Sequence, residues 1–93
     1  MAIRFEWDPV KAEANQRKHG IGFEEAATIF GDPMSLTIAD QQHSEAEPRF
    51  ITVGSSVRSR LLVVVHTDRD EAIRIISARV ATRRERRAHE EEP

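Results

Sequence analysis

The stretch Arg60-Leu61-Leu62-Val63-Val64-Val65-His66-Thr67, with Asp68-Arg69-Asp70-Glu71 and Ala72-Ile73-Arg74-Ile75-Ile76-Ser77-Ala78-Arg79 behind it, decides the fold. The unbroken apolar run Leu61 to Val65 is what a strand shows when both its faces are covered, so this strand is predicted to be central in a sheet. The run is far too short to cross a bilayer. The polar stretch 68–71 has hairpin length, and the isoleucine-rich stretch 72–79 reads as the returning strand. Upstream, Arg49 to Gly54 is a strand followed by a turn over Ser55 to Ser59. Met34 to Ala39 alternates Met34, Leu36 and Ile38 and is another strand, joined to it by the polar loop 40–48.

Helices frame this meander. Ile3, Phe5 and Trp7 alternate with Arg4 and Glu6 as in a half-buried strand. Asp8-Pro9 then starts a helix: the carboxylate accepts a free backbone N–H and proline has none to lose. That helix runs over 9–19 and stops at Gly20. Phe23, Ala26, Ala27 and Phe30 share one face of a second helix over 23–30. Thr82-Arg83-Arg84-Glu85 fits a capping box and opens a last helix from Arg83 to Glu92. The order β-α-α-β-β-β-β-α defines a single α+β domain over 1–93. It predicts an antiparallel sheet of four to five strands, two N-terminal helices and one C-terminal helix, with 90–93 as an acidic tail.

At 39% hydrophobic and 32% charged residues the chain is too apolar to be disordered throughout. The absence of cysteine excludes a disulfide scaffold, a thiolate zinc site, an iron–sulfur cluster and a cysteine nucleophile. It suits a reducing cytoplasm, and the N-terminal Met-Ala-Ile-Arg-Phe-Glu-Trp-Asp has no apolar signal-peptide region. The net charge of −2 conceals an asymmetry. Within 72–89 the arginines at 74, 79, 83, 84, 86 and 87 face Glu85 alone, and such a segment reads either as a phosphate-binding surface or as a docking site for an acidic partner.

No histidine spacing matches a metal motif, although His43, Glu45 and Glu47 alternate in the polar loop. There is no glycine-rich phosphate loop, and no metal or other cofactor is expected. His66 ends the central strand on the face of Leu62 and Val64, where an imidazole serves either as acid or base or as a hydrogen-bonded edge residue. Arg49, Arg74 and Arg79 sit on strands within apolar patterns, and each must reach a carboxylate, a phosphate or water. If their strands are neighbours, they and His66 can share one sheet face or end. A histidine among arginines is what metal-free RNA cleavage requires. The aromatic residues are too few for a base-stacking platform.

Phe5-Glu6-Trp7-Asp8-Pro9-x-Lys11-Ala12-x-x-Asn15-x-x-Lys18-His19-Gly20-Ile21-x-Phe23-Glu24-Glu25-Ala26 closely resembles the opening of the BrnT toxins of type II toxin–antitoxin modules. His43-Ser44-Glu45 with Arg49-Phe50-x-x-x-Gly54 resembles their middle. Ile75-Ile76-Ser77-Ala78-Arg79-x-Ala81-Thr82-x-x-Glu85-Arg86 resembles their end. The resemblance implies a small RelE-like ribonuclease that inhibits translation by cutting RNA without a metal. It implies a BrnA-type antitoxin of ribbon-helix-helix class, and operator DNA bound only through the toxin–antitoxin complex. A homodimer within a heterotetramer is compatible with it, and no membrane is implied. Arg49 and Arg79 lie in the shared words and are carried over as catalytic phosphate-binding groups. His66 joins them as a catalytic candidate and Arg74 as an RNA contact, both from placement. Lys18, His19, Arg83 and Arg86 are further expected contacts to RNA or to the antitoxin. The competing reading is a non-catalytic module that docks an antitoxin or another acidic partner.

Overall fold

In the computed structural model, which describes residues 3–41 and 47–91, Leu62 and Val64 are fully enclosed on one side of their strand. Leu61 and Val63 are nearly so on the other. The run is therefore central, as its composition requires. Among the described residues the strands are β1 (Arg4–Glu6), β2 (Leu36–Ala39), β3 (Phe50–Ser55), β4 (Leu61–Arg69) and β5 (Ala72–Val80). The helices are α1 (Pro9–His19), α2 (Phe23–Ala27) and α3 (Arg83–Glu91). The sheet order is β1-β5-β4-β3-β2.

Strands β2 to β5 pair antiparallel, as the meander predicts. Strand β1 departs from the all-antiparallel expectation: it runs parallel to β5, with Phe5 opposite Ile73, so the sheet is mixed. Strand β1 reaches β5 only after two helices and three strands, so no tight turn dictates its direction. The β4–β5 hairpin is also tighter than the four polar residues suggest. Arg69 pairs with Ala72, leaving only Asp70 and Glu71, both at positive φ (51° and 63°), as in a two-residue type I′ loop.

Local chemistry sets the helix ends. Asp8 accepts the Val10 N–H at 2.8 Å, and Gly20 at φ 72° donates to the Gln16 carbonyl at 2.8 Å. Strand β1 stops at Glu6, and beyond it Asn15 of α1 serves the edge of β5. Its amide donates to the Ala78 carbonyl at 2.9 Å, and its oxygen accepts the Ala78 N–H at 3.1 Å. The second predicted helix is α-helical only to Ala27 and then tightens into a 3-10 turn over Thr28–Gly31. That turn lies close against Gly54 of β3, where a Cβ would come within 3.2 Å of Ile29 and 2.9 Å of the Ser35 Cβ. Glycine admits the close approach.

The two sheet faces differ. Ile21, Phe23, Ala26 and Ile29 pack on Leu62, Val64, Ile75 and Ala78, and Phe5, Trp7 and Phe30 close the rim of this covered face. On the second face Leu61, Val63 and Ala81 form a small buried apolar cluster, with Ile51 and Val53 half-covered beside them. No helix among the described residues is long and apolar enough to cross a membrane.

Candidate active site

Alternation along β4 sends Leu62, Val64 and His66 to the covered face. His66 is only 4% exposed. Phe30 meets its ring edge-on, with centroids 4.9 Å apart, and Phe50 stacks on it at 5.9 Å. Its Nε2 shares a hydrogen bond with the Thr52 hydroxyl at 2.7 Å, and Thr52 shares another with Thr37 at 2.7 Å. Nδ1 is enclosed and has no hydrogen-bond partner among the described residues. Burial pushes the imidazole below its usual range, with Asp68 opposing the shift. This histidine is held neutral inside the domain.

The arginines lie on the other side. Arg79 stands opposite Val63, and Arg74 opposite Thr67 and Glu6, all in the register of the open face. The alternation of Ile51 and Val53 extends back to Arg49, just before β3. Of the two expected arrangements, a shared face does not hold for His66 and these arginines, while Arg49, Arg74 and His66 do come to one end of the sheet, where Phe50 pairs with His66 and Arg74 with Thr67. The strands are neighbours as required, but β4 and β5 are registered so that Arg79 faces away from Leu62, Val64 and His66.

Three arginines of β4 and β5 are matched to carboxylates. Arg74 donates to Glu6 at 2.9 Å across the β5–β1 pair. Arg69 donates to Glu47 at 2.9 Å. Arg79 makes a two-pronged pair with Glu85 of α3, at 2.7 and 2.8 Å. Glu85 is also the capping-box residue the sequence predicts. It accepts the Thr82 N–H at 2.8 Å, and the Thr82 hydroxyl accepts its N–H at 3.1 Å. Arg79 chiefly, with these cap bonds, holds the Glu85 carboxyl well below the carboxylate range, at about 2. Glu85 therefore stays an anion and is a poor proton acceptor. The Arg79 and Glu85 side chains are 40% and 36% exposed, so water reaches the pair and an arriving anion can share the guanidinium.

Arg83 and Arg86 are exposed on α3, the helix whose Glu85 holds Arg79. Lys18 and His19 are exposed in the last turn of α1, the helix tied to the covered side through Asn15, and the structure does not group them with Arg79. Among the described residues no three histidine or acidic side chains converge as a metal site. His43 and Glu45 of the proposed cation loop lie outside the described residues. Two residues make tertiary contacts that their local sequence does not announce. Asn15 is one, although it stands in a recognisable word. Glu25 is the other: it accepts from Ser56 at 2.7 Å and pairs with Arg60, tying the β3–β4 turn to α2.

Fold and site together describe a small α+β domain with arginines on one open sheet face. Residues 7–85 match the family model described as "Ribonuclease toxin, BrnT, of type II toxin-antitoxin system". The chain belongs to this BrnT family. Its fold is similar to that of the Brucella abortus ribonuclease toxin BrnT, with a TM-score of 0.68 at 20% identity. The alignment covers 88% of this chain and all of that one. No curated protein matches the chain.

Proposed function

We propose that this chain is a metal-independent endoribonuclease toxin that inhibits translation, and that its open sheet face is the catalytic surface. The observation that carries the proposal is the placement of Arg49, Arg74 and Arg79 on one open face, in a family of ribonuclease toxins. Attack of an RNA 2′-hydroxyl on its own phosphodiester, its proton passing to water and the departing 5′ oxygen taking one from water, builds negative charge on the non-bridging oxygens. Fixed guanidinium groups bind that charge through paired N–H donors, without a metal. Arg79 is the central group, oriented by Glu85. Arg49 and Arg74 extend the cationic surface, with Arg83 and Arg86 as outer RNA contacts. His66 is left out of the chemistry because the sheet itself separates it from a phosphate on this face. In keeping with the family's toxin–antitoxin character, a BrnA-type antitoxin neutralises the toxin, and operator DNA is bound through the complex.

The test is cleavage of a labelled single-stranded RNA in EDTA by the wild type and by Arg79→Ala. The exposed pair that the variant loses is worth about 0–1 kcal/mol, so the variant folds. Wild-type cleavage that falls by about 10²–10³ in the folded variant supports the proposal, the size expected for removing one transition-state donor. Equal cleavage by both proteins contradicts it. Intact RNA with both, repeated in the presence of translating ribosomes, favours the non-catalytic docking module.

A further inference from the structure

The Glu85 carboxylate serves two partners at once. Its Oε1 accepts the Thr82 N–H at 2.8 Å and Nη1 of Arg79 at 2.7 Å, while Oε2 accepts Nη2 of Arg79 at 2.8 Å. The Thr82 hydroxyl closes the capping box by accepting the Glu85 N–H at 3.1 Å. The carboxylate is therefore anchored to the first turn of α3 independently of Arg79. An arginine side chain has much rotamer freedom, which an ordinary surface pair does little to remove. A two-pronged pair with an anchored carboxylate fixes both the position and the plane of the guanidinium.

The pair leaves one edge of that plane unused. Glu85 takes the Nη1–Nη2 edge, and Nη1 also approaches the Val80 carbonyl at 3.4 Å. A guanidinium has five N–H donors, and its second fork is formed by Nε–H and the outer N–H of Nη2. Nε–H donates to no group among the described residues, and Nε is not one of the enclosed atoms left without a partner. Two oxygens of a phosphate match this second fork, so an anion can bind there without displacing Glu85.

We propose that Glu85 is a positioning residue for RNA cleavage: it keeps its hold on Arg79 throughout and presents the free Nε–Nη2 fork to the phosphate that is cut. This rests on the ribonuclease-toxin reading. Glu85 itself touches neither the RNA nor a proton in transit, and acts only through Arg79. The non-bridging oxygens gain charge as the reaction proceeds, so a fork held in place binds the transition state better than the starting phosphodiester. The opposite role is a counterion that must leave before phosphate enters. The two roles differ in what loss of the charge does. A positioning residue lowers kcat when it is lost, whereas a counterion lowers KM.

The experiment compares the full-length wild type with Glu85→Gln. Glu90→Gln is the control, since it removes a charge from the same helix beside Arg86 and away from Arg79. Glutamine is accepted at this place in a capping box and can still receive the Thr82 N–H, so Glu85→Gln folds, as circular dichroism checks. Cleavage of single-stranded RNA gives kcat and KM. Glu85→Gln is expected to lose about 10–10² in kcat with no more than a small rise in KM. Glu90→Gln keeps the wild-type kcat. In parallel, NMR follows the Arg79 Nε–H signal as a 2′-O-methyl RNA, which lacks the attacking hydroxyl, is added. The signal is expected to shift in the wild type and to shift less in Glu85→Gln. An unchanged kcat in Glu85→Gln overturns the proposal, and a lower KM with it marks Glu85 as a displaced counterion. An equal loss in Glu90→Gln overturns it too, as does a wild-type Nε–H signal that the RNA does not move. A wild type that cuts no RNA yet shows the shift, with the shift diminished in Glu85→Gln, sinks the ribonuclease reading and leaves Glu85 positioning Arg79 for a bound phosphate.

Discussion

The two faces of one sheet, built from alternate residues of the same strands, do different work. On the covered face Leu62, Val64 and Ile75 are sealed by Phe23, Ala26 and Ile29, and even the imidazole there is enclosed and neutral. On the open face Arg74 and Arg79 stand over a thin apolar layer, each held by a carboxylate from a neighbouring element. The contrast teaches that the buried core and the arginine-bearing surface are separated by a single pleat. Moving a side chain by one position along β4 or β5 changes which of the two it serves.

The separation breaks most visibly from the covered side. Leu62→Ala is expected to cost about 2–5 kcal/mol, because a fully enclosed side chain leaves a cavity that the sheet cannot close. Denaturant unfolding reads this loss, while the fraction that remains folded keeps its cleavage rate. Asn15→Ala comes next, at about 2 kcal/mol, since it strips the Ala78 N–H and carbonyl of their partner. The same unfolding measurement checks it.

The smallest effect is the most discriminating. Burial lowers the His66 pKa, so the unfolded chain takes up the proton first as pH falls. Stability is therefore expected to decline below about pH 6.5, the ordinary histidine value, through the window down to the lower folded-state value. His66→Gln keeps a polar group beside Thr52 but removes the titration. Thermal melts of the two proteins between pH 7.5 and 5 should show the slope flatten in the variant.

The same contrast explains what the sequence made legible. Helix α1 was readable to the residue, because Asp8, Pro9 and Gly20 are local signals whose chemistry needs no partner. The capping box at Thr82 and Glu85 was equally plain. The central strand was legible from Leu61 to Val65, since only double burial tolerates such a run. The grouping of the site residues was not. Which residues of β4 and β5 share a face depends on register, and register depends on the two-residue turn at Asp70 and Glu71 and on the irregularity between Val65 and His66. Neither feature has a glycine or asparagine to announce it. Strand β1 hid its direction for a related reason, since its partner β5 lies far along the chain. Arg49 and Arg79 could be picked out as residues of the family words, but that Glu85 would hold Arg79 as well as cap α3 needed the packed structure.

The most direct measurement is the rate of RNA cleavage in EDTA by Arg79→Ala beside that by His66→Gln, each confirmed folded. If the chemistry belongs to the open face, Arg79→Ala loses about 10²–10³ in rate and His66→Gln stays within severalfold of the wild type. Cleavage abolished by His66→Gln but kept by Arg79→Ala would place the reaction on the covered side and contradict the account.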